Sequence, residues 1–179
     1  HKWDSTAGNL LLSIVVRPNV NPAKYSGLAA VCGLAVLKTL EKQGLATEIG
    51  LKWPNDLVAR GRKLGGILVE AARDNEGKPF AACGIGLNVN YTPQEVPDGG
   101  LAAIGLSDLH ESIPSVDTLL DEAYRAVMDT VDAWGEQLNT MAEDVGPLAP
   151  VRDGYIARLK WIGERVIARS PAGDELARG

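Results

Sequence analysis

Residues 52–69 constrain the fold of this chain more than any other stretch, and they read Lys-Trp-Pro-Asn-Asp-Leu-Val-Ala-Arg-Gly-Arg-Lys-Leu-Gly-Gly-Ile-Leu-Val. Apolar runs lie on both sides of the Gly61-Arg62 step, which predicts a tight turn between two strands. The stretch also carries lysines, an amide, a carboxylate, adjacent glycines and a Trp-Pro pair that we expect to be buried. Because a hairpin that only fills a core needs few polar groups, this mixture indicates a site for a small, partly apolar carboxylate beside a phosphate.

Apolar β-branched runs alternate with stretches of helical periodicity along the rest of the chain. Asn21-Pro22 is typical of a helix start, and Ser115 is typical of an N-cap. We predict helices over 22–42, 116–138 and 150–159, strands over 10–17, 49–53, 56–60, 64–72 and 80–90, a loop over 92–100, and a hairpin of 164–170 and 174–178 around 171–173. The predicted class is α+β, with a mixed sheet, helices on one side and the start of a small C-terminal β-barrel.

Composition excludes several classes of protein. The 179 residues are 45% hydrophobic and 23% charged, as in globular domains. A net charge of −5 argues against a general nucleic-acid surface, which needs clustered basic residues. The longest apolar run, 28–37, is too short to span a bilayer. Cys32 and Cys83 lie in apolar segments, which favours buried free thiols and a cytoplasmic protein without a signal peptide.

Pro54 makes its neighbours candidates for ligand binding. Because proline lacks a ladder donor, backbone pairing should be interrupted here, and we expect Asn55 and Asp56 to face a ligand, with Lys52 two residues before the break. The alternative is a turn anchored by Trp53, in which Asn55 and Asp56 act only as turn formers.

Gly65 and Gly66 weaken a strand unless something must approach the backbone closely. A flat ring lying against them, with Lys63 reaching its carboxylate, would explain the pattern. The alternative is a β-bulge beside a solvated lysine.

Gly84 and Gly86 share one strand face at period two, and Asn88 continues that face, so a trough here could form a second wall of the site. A single Gly-x-Gly with no following helix is not a dinucleotide fingerprint. The two histidines, His1 and His110, provide no base for Ser-His-Asp chemistry, and no Cys/His cluster has metal-ligand spacing. Cys83, beside the trough, is interpreted as core rather than as a nucleophile.

Three motifs together resemble the central motifs of biotin protein ligases: Lys-Trp-Pro-Asn-Asp at 52–56, Arg-Lys-Leu-Gly-Gly-Ile-Leu-Val-Glu at 62–70, and Gly-Ile-Gly-Leu-Asn-Val-Asn at 84–90. The resemblance implies the fold shared with class II aminoacyl-tRNA synthetases. It also implies a catalytic domain at 1–162, without its N-terminal part, and the beginning of a small β-barrel domain at 163–179. Family members carry a Gly-Arg-rich loop before the position of Lys2-Trp3, so we expect the chain to be a piece of a longer protein.

The resemblance implies that biotin and ATP, with Mg²⁺, form biotinyl-5′-adenylate, and that a lysine of the biotin carboxyl carrier protein of acetyl-CoA carboxylase then takes the biotin. Lys63 would contact the biotin carboxylate and the α-phosphate, and Asp56 would orient or deprotonate the acceptor lysine. Lys52 and Asn55 would lie near the nucleotide, and Asn88 near the phosphate and, through it, the magnesium ion. The biotin pocket would be lined by Lys63, Gly65, Gly66, Ile67, Leu68, Gly84 and Gly86.

Two further expectations follow from the resemblance. Residues 92–101 fall where the family has its nucleotide-binding loop, and a homodimer is compatible with the family.

The alternative functions are a lipoate or octanoate ligase or transferase of the same fold, and a non-catalytic module that senses biotin. A DNA-binding helix-turn-helix upstream of His1 would indicate a combined repressor and ligase; no membrane partner is expected.

Overall fold

The computed structural model describes residues 7–94, 100–165, 167–170 and 174–178. The strands are β1 (Leu10–Val16), β2 (Ile49–Lys52), β3 (Asp56–Ala59), β4 (Arg62–Arg73), β5 (Pro79–Leu87), β6 (Ile167–Arg169) and β7 (Glu175–Arg178). The helices are α1 (Leu28–Lys42), α2 (Val116–Thr140) and α3 (Arg152–Ile156), with 3₁₀ turns at Pro22–Gly27, Leu106–Asp108 and Ala149–Val151. Each predicted strand is present, within a few residues of its predicted ends.

The main sheet has five strands in the order β1-β5-β4-β3-β2. All neighbouring strands in it pair antiparallel, so the expectation of a mixed sheet was wrong. Strands β2 to β5 follow one another through short connections, and such connections produce antiparallel neighbours. Parallel pairing in the described part of the chain is confined to two isolated bridges, Leu51 with Leu159 and Lys63 with Ala103. The α+β class is confirmed.

The turn between β3 and β4 lies one residue earlier than predicted. Ala59 pairs with Arg62, which leaves Arg60 and Gly61 as a two-residue loop. Both loop residues have positive φ, at 49° and 71°, as in the primed turns that match strand twist.

Helices α1 and α2 pack on each other and on one side of the sheet. The predicted first helix begins later than expected, because residues Pro22–Gly27 form a 3₁₀ turn before α1. The stretch Pro22–Lys42 is long and apolar enough to cross a membrane by length and composition, but 72% of its 18 most apolar consecutive residues are buried inside this fold. Its apolar character is therefore that of a core helix.

Helix α2 matches its prediction. The Ser115 hydroxyl accepts a hydrogen bond from the Thr118 amide at 3.1 Å, which caps the helix. Trp134 is 1% exposed and donates from Nε1 to the Pro147 carbonyl at 2.7 Å, so it serves packing.

The opposite face of the sheet is not covered by α1 or α2. Side chains alternate along β1, so Leu10, Ile14 and Val16 are buried, whereas Leu11 and Val15 are 42% and 61% exposed. We call this second side the open face.

The C-terminal hairpin is present as β6 paired antiparallel with β7. Its turn, Pro171-Ala172-Gly173, lies outside the described residues, and the predicted β-barrel stays a prediction.

Candidate active site

One row of paired residues crosses all five strands of the main sheet. Lys52 pairs with Asp56, Asp56 with Gly66, Gly66 with Gly86, and Gly86 with Leu11. Paired residues in neighbouring strands lie on the same face. The row therefore begins with charged groups, passes over two glycines and ends on an exposed leucine.

The charged end of this row is a cluster of two lysines and one carboxylate. Asp56 Oδ1 lies 2.7 Å from Nζ of Lys63, and Oδ2 lies 3.4 Å from Nζ of Lys52. The Asp56 side chain is 14% exposed, while those of the two lysines are 37–39% exposed. The cluster has one more positive than negative charge, and it is suited to attract an anionic ligand.

A β-bulge explains how Lys63 reaches the open face. The register of β3 and β4 shifts between Leu57 and Val58, so that Leu57 pairs with Gly65 but Val58 pairs with Lys63. The extra residue, Leu64, is fully buried, and the shift leaves Lys63 on the same face as Gly66. The bulge given above as an alternative is thus real, but its lysine is ion-paired with Asp56.

Strands β4 and β5, which carry Gly66, Gly84 and Gly86, form the floor of the predicted trough. A Cβ on Gly66 would lie 3.2 Å from Asp56 Oδ1 and 3.3 Å from Lys63 Nζ, so a side chain there would push into the ion pair. A Cβ on Gly84 would meet only the Leu68 carbonyl oxygen, at 3.7 Å. Leu68 is 42% exposed beside it, so this part of the floor offers apolar surface.

Gly65 and Ile67 do not share the wall with Gly66 and Leu68, which corrects the predicted lining. A Cβ on Gly65 would collide with the Gly86 carbonyl oxygen and approach the buried Leu87. Ile67 is 1% exposed and points toward helix α1. Adjacent strand residues face opposite sides, so the four consecutive residues cannot form one wall.

The Nδ2 of Asn55 is used within the sheet and not for a ligand, and the predicted place of this residue near the nucleotide stays a prediction. Its Nδ2 donates to the Ile67 carbonyl at 2.7 Å, and its own carbonyl accepts from the Ile67 amide at 2.9 Å. Trp53 is 58% exposed rather than buried, and its ring meets Tyr155 edge-on at 6.1 Å. The Trp53 ring therefore lies at the surface against Tyr155, and Asp56 belongs to the charged cluster.

Asn88 lies at the end of β5 and is 8% exposed. Its Nδ2 donates to the carbonyls of Ile104, at 3.1 Å, and Lys63, at 3.4 Å. The side chain thus ties the backbone of Lys63 to the segment that follows the loop. Its predicted place beside the phosphate stays a prediction.

The predicted nucleotide-binding loop is described only at its two ends, since residues 95–99 lie outside the described part. Thr92 donates to the Asp108 carboxylate at 2.5 Å, and the Gly105 amide donates to it at 2.8 Å. These two hydrogen bonds lower the pKa of Asp108. They also join the residues before and after the loop at its base. Trp3, in the first six residues, also lies outside the described residues.

Sequence reasoning missed Tyr155. The residue is 3% exposed, and its hydroxyl donates to the Pro54 carbonyl at 3.4 Å. Burial, with a smaller effect of the Asp56 charge, raises the pKa of Tyr155 to about 12. No motif marks this tyrosine, because its contact depends on how α3 folds back onto the sheet.

Cys32 and Cys83 are free and buried, as predicted. A hydrogen bond with Cys83 and burial raise the pKa of Cys32. No group of three or more His, Cys, Asp or Glu side chains able to hold a metal occurs among the described residues.

Comparison with known proteins identifies the family to which this chain belongs. The family model of biotin/lipoate A/B protein ligases matches residues 1–90. The biotin–[acetyl-CoA-carboxylase] ligase of Mycobacterium tuberculosis is 35% identical over 97% of this chain, and that of Paracoccus denitrificans is 31% identical over 97%. The chain spans 60% of the first relative and 70% of the second.

Solved structures agree with this fold. The biotin protein ligase of Aquifex aeolicus in complex with biotin and ATP superimposes with a TM-score of 0.68 and 22% identity, over 92% of this chain and 64% of that one. A biotin protein ligase from Leishmania major in complex with biotin gives 0.65 and 22%, over 96% of this chain and 69% of that one. Sequence and fold together show that the chain belongs to the biotin/lipoate A/B protein ligase family.

Proposed function

We propose that the chain carries the catalytic centre of an ATP-dependent biotin ligase, which attaches biotin to a lysine of the biotin carboxyl carrier protein of acetyl-CoA carboxylase. The row from Lys52 to Leu11 supports this proposal most directly, because it sets a cationic cluster at one end of a row of glycines that carry no side chain. The names of the two relatives at 31% and 35% identity point to the same substrates.

The first reaction joins two anions, so it needs positioning and charge neutralisation more than acid-base chemistry. Biotin would lie in the trough with its carboxylate at Lys63. One carboxylate oxygen attacks the α-phosphorus of ATP, the bond to the β-phosphate oxygen breaks, and pyrophosphate leaves. Lys63 and Lys52 offset the negative charge at the reacting phosphate.

Magnesium would enter with the nucleotide. The described residues offer no cluster of metal-binding side chains, and the Asp56 carboxylate is engaged by two lysines. Mg²⁺ commonly keeps several waters and binds through substrate phosphates, which fits such a site. Asn88 is the proposed neighbour of the phosphate that carries the ion.

The second reaction transfers the biotinyl group. The neutral amine of the acceptor lysine attacks the carbonyl carbon of the mixed anhydride, the bond to the phosphate oxygen breaks, and AMP leaves. Asp56 would take the proton from the amine. When the adenylate occupies Lys63, one Asp56 oxygen loses its partner at 2.7 Å and becomes available to the amine.

The proposal includes a cytoplasmic location and allows a homodimer. Relatives named bifunctional ligase/repressor BirA match only part of this chain, 98 residues in the case of Bacillus subtilis. We propose no nucleic-acid role for the residues described, because the chain has a net charge of −5 and no excess of basic residues.

Calorimetry with the whole chain tests the proposed substrates. Biotin should bind with submicromolar affinity, and binding should tighten when ATP and Mg²⁺ are present. Binding of lipoate in place of biotin would contradict the proposal and favour a lipoate ligase of the same fold.

A further inference from the structure

We propose that Tyr155 is a positioning residue for the transfer reaction, and that residues 155–160 hold the turn of residues 52–56 so that Asp56 can meet the acceptor amine. The inference rests on the function proposed above. These residues lie outside the 90 that the family model matches.

Tyr155 contacts the turn directly before Asp56. Its hydroxyl donates to the carbonyl of Pro54 at 3.4 Å, and its ring lies edge-on to Trp53, with ring centres 6.1 Å apart. Because the pKa of Tyr155 is raised to about 12, the hydroxyl keeps its proton and its role as a donor at any physiological pH. Tyr155 is almost fully buried, so the exposed turn rests on a rigid support.

The residues after Tyr155 hold the strand that leads into the turn. The Leu51 amide donates to the Arg158 carbonyl, and the Lys160 amide donates to the Leu51 carbonyl, both at 2.9 Å. Gly50 makes this approach possible, since a Cβ there would lie 2.5 Å from Lys160 Cε and 2.9 Å from the Arg158 carbonyl oxygen. The edge of β2 is therefore paired along Leu51.

Arg158 fastens the same segment to the core helix. Its guanidinium donates to both carboxylate oxygens of Glu41 in α1, at 2.7 Å and 2.9 Å. A two-point contact of this kind fixes orientation as well as distance. The segment therefore links the turn to α1, a core helix in which 11 of 15 residues are buried.

Lys63 is held by a different part of the chain. Its amide donates to the Ala102 carbonyl at 2.8 Å, and its carbonyl accepts from the Ile104 amide at 2.9 Å. Loosening of residues 155–160 should therefore displace Asp56 while Lys63 stays in place. The two half-reactions should respond differently, since adenylate formation depends on Lys63 and transfer on Asp56.

Tyr155→Phe in the whole chain separates the half-reactions. Biotin-dependent exchange of pyrophosphate into ATP reports adenylate formation, and single-turnover transfer from added biotinyl-adenylate to a carrier domain reports the second step. We expect the exchange rate to stay within about twofold of that of the unaltered chain, and the transfer rate to fall by at least about tenfold, because a small misplacement of reacting groups slows a reaction by factors of this order. The KM for the carrier domain should be unchanged.

Tyr25→Phe is the matched control. Tyr25 is 4% exposed, and its hydroxyl donates to the Pro18 carbonyl at the same 3.4 Å, but it lies in the 3₁₀ turn before α1. It should leave both half-reactions unchanged. Gly50→Ala, which pushes residues 158–160 away from β2, should reproduce the selective loss of transfer.

Unchanged transfer in Tyr155→Phe would overturn the positioning role, as would an equal fall of both half-reactions. Absence of exchange in the unaltered chain would instead contradict the proposed function, and the two failures are thereby distinguished.

Discussion

Gly65 and Gly66 are neighbours in β4, yet each excludes a side chain for a different reason. A side chain on Gly65 would collide with the backbone of β5 at the Gly86 carbonyl, on the core side of the sheet. A side chain on Gly66 would meet the Asp56 and Lys63 side chains, on the open face. One glycine therefore allows β4 and β5 to approach, and the other leaves room for the Asp56–Lys63 ion pair.

Gly65→Ala should destabilise the fold. The new methyl group meets backbone that cannot move without shifting β5, and overpacking of this kind costs about 1–3 kcal/mol. Urea denaturation followed by circular dichroism measures the loss. Gly146→Ala is the control, because a Cβ there meets nothing within 4 Å, and its unfolding free energy should stay near that of the unaltered chain. Equal stability of the two variants would show that β4 and β5 are not this close.

Gly66→Val should prevent biotin binding. Its branched side chain fills the trough where the row passes from Asp56 to Gly86, and it displaces the ammonium of Lys63. Calorimetry with biotin measures the loss, with circular dichroism to establish that the variant is folded. Biotin affinity equal to that of the unaltered chain would mean that Gly66 serves only the strand.

Lys63→Ala should reduce adenylate formation by about 10²–10³, the usual cost of removing one donor that stabilises a charged transition state. Biotin-dependent pyrophosphate exchange provides the rate. Lys78→Ala is a matched control, since Lys78 also ion-pairs at 2.7 Å, with Glu76, but on a distant turn. Near-normal exchange in Lys63→Ala would refute the assigned role.

Cys83→Ala should keep both half-reactions. The thiol is fully buried on the core side of β5, whereas Gly84 and Gly86 face the trough. A transferase of the same fold that uses a cysteine nucleophile would lose transfer completely on this change. Measured transfer from biotinyl-adenylate therefore discriminates between the two mechanisms.

The sequence predicted the strands and the residue types of the site well, because strand periodicity and the three motifs are local features. Strand alternation alone separates Gly65 and Ile67 from Gly66 and Leu68, but without the bulge at Leu64 it would place Lys63 on the face of Gly65 and not on that of Gly66. Tyr155 was missed for a related reason: its contact with Pro54 joins residues 101 positions apart. Long-range contacts of this kind leave no periodic signal in the chain.

Competition between biotin and lipoate tests the central claim most directly. The whole chain is incubated with ATP, Mg²⁺, equal concentrations of both acids and a carrier domain, and the carrier is analysed by mass spectrometry. The predicted result is biotin on a single carrier lysine, lost in Lys63→Ala. Lipoyl addition to the carrier, or biotin addition that is unchanged in Lys63→Ala, would contradict the account.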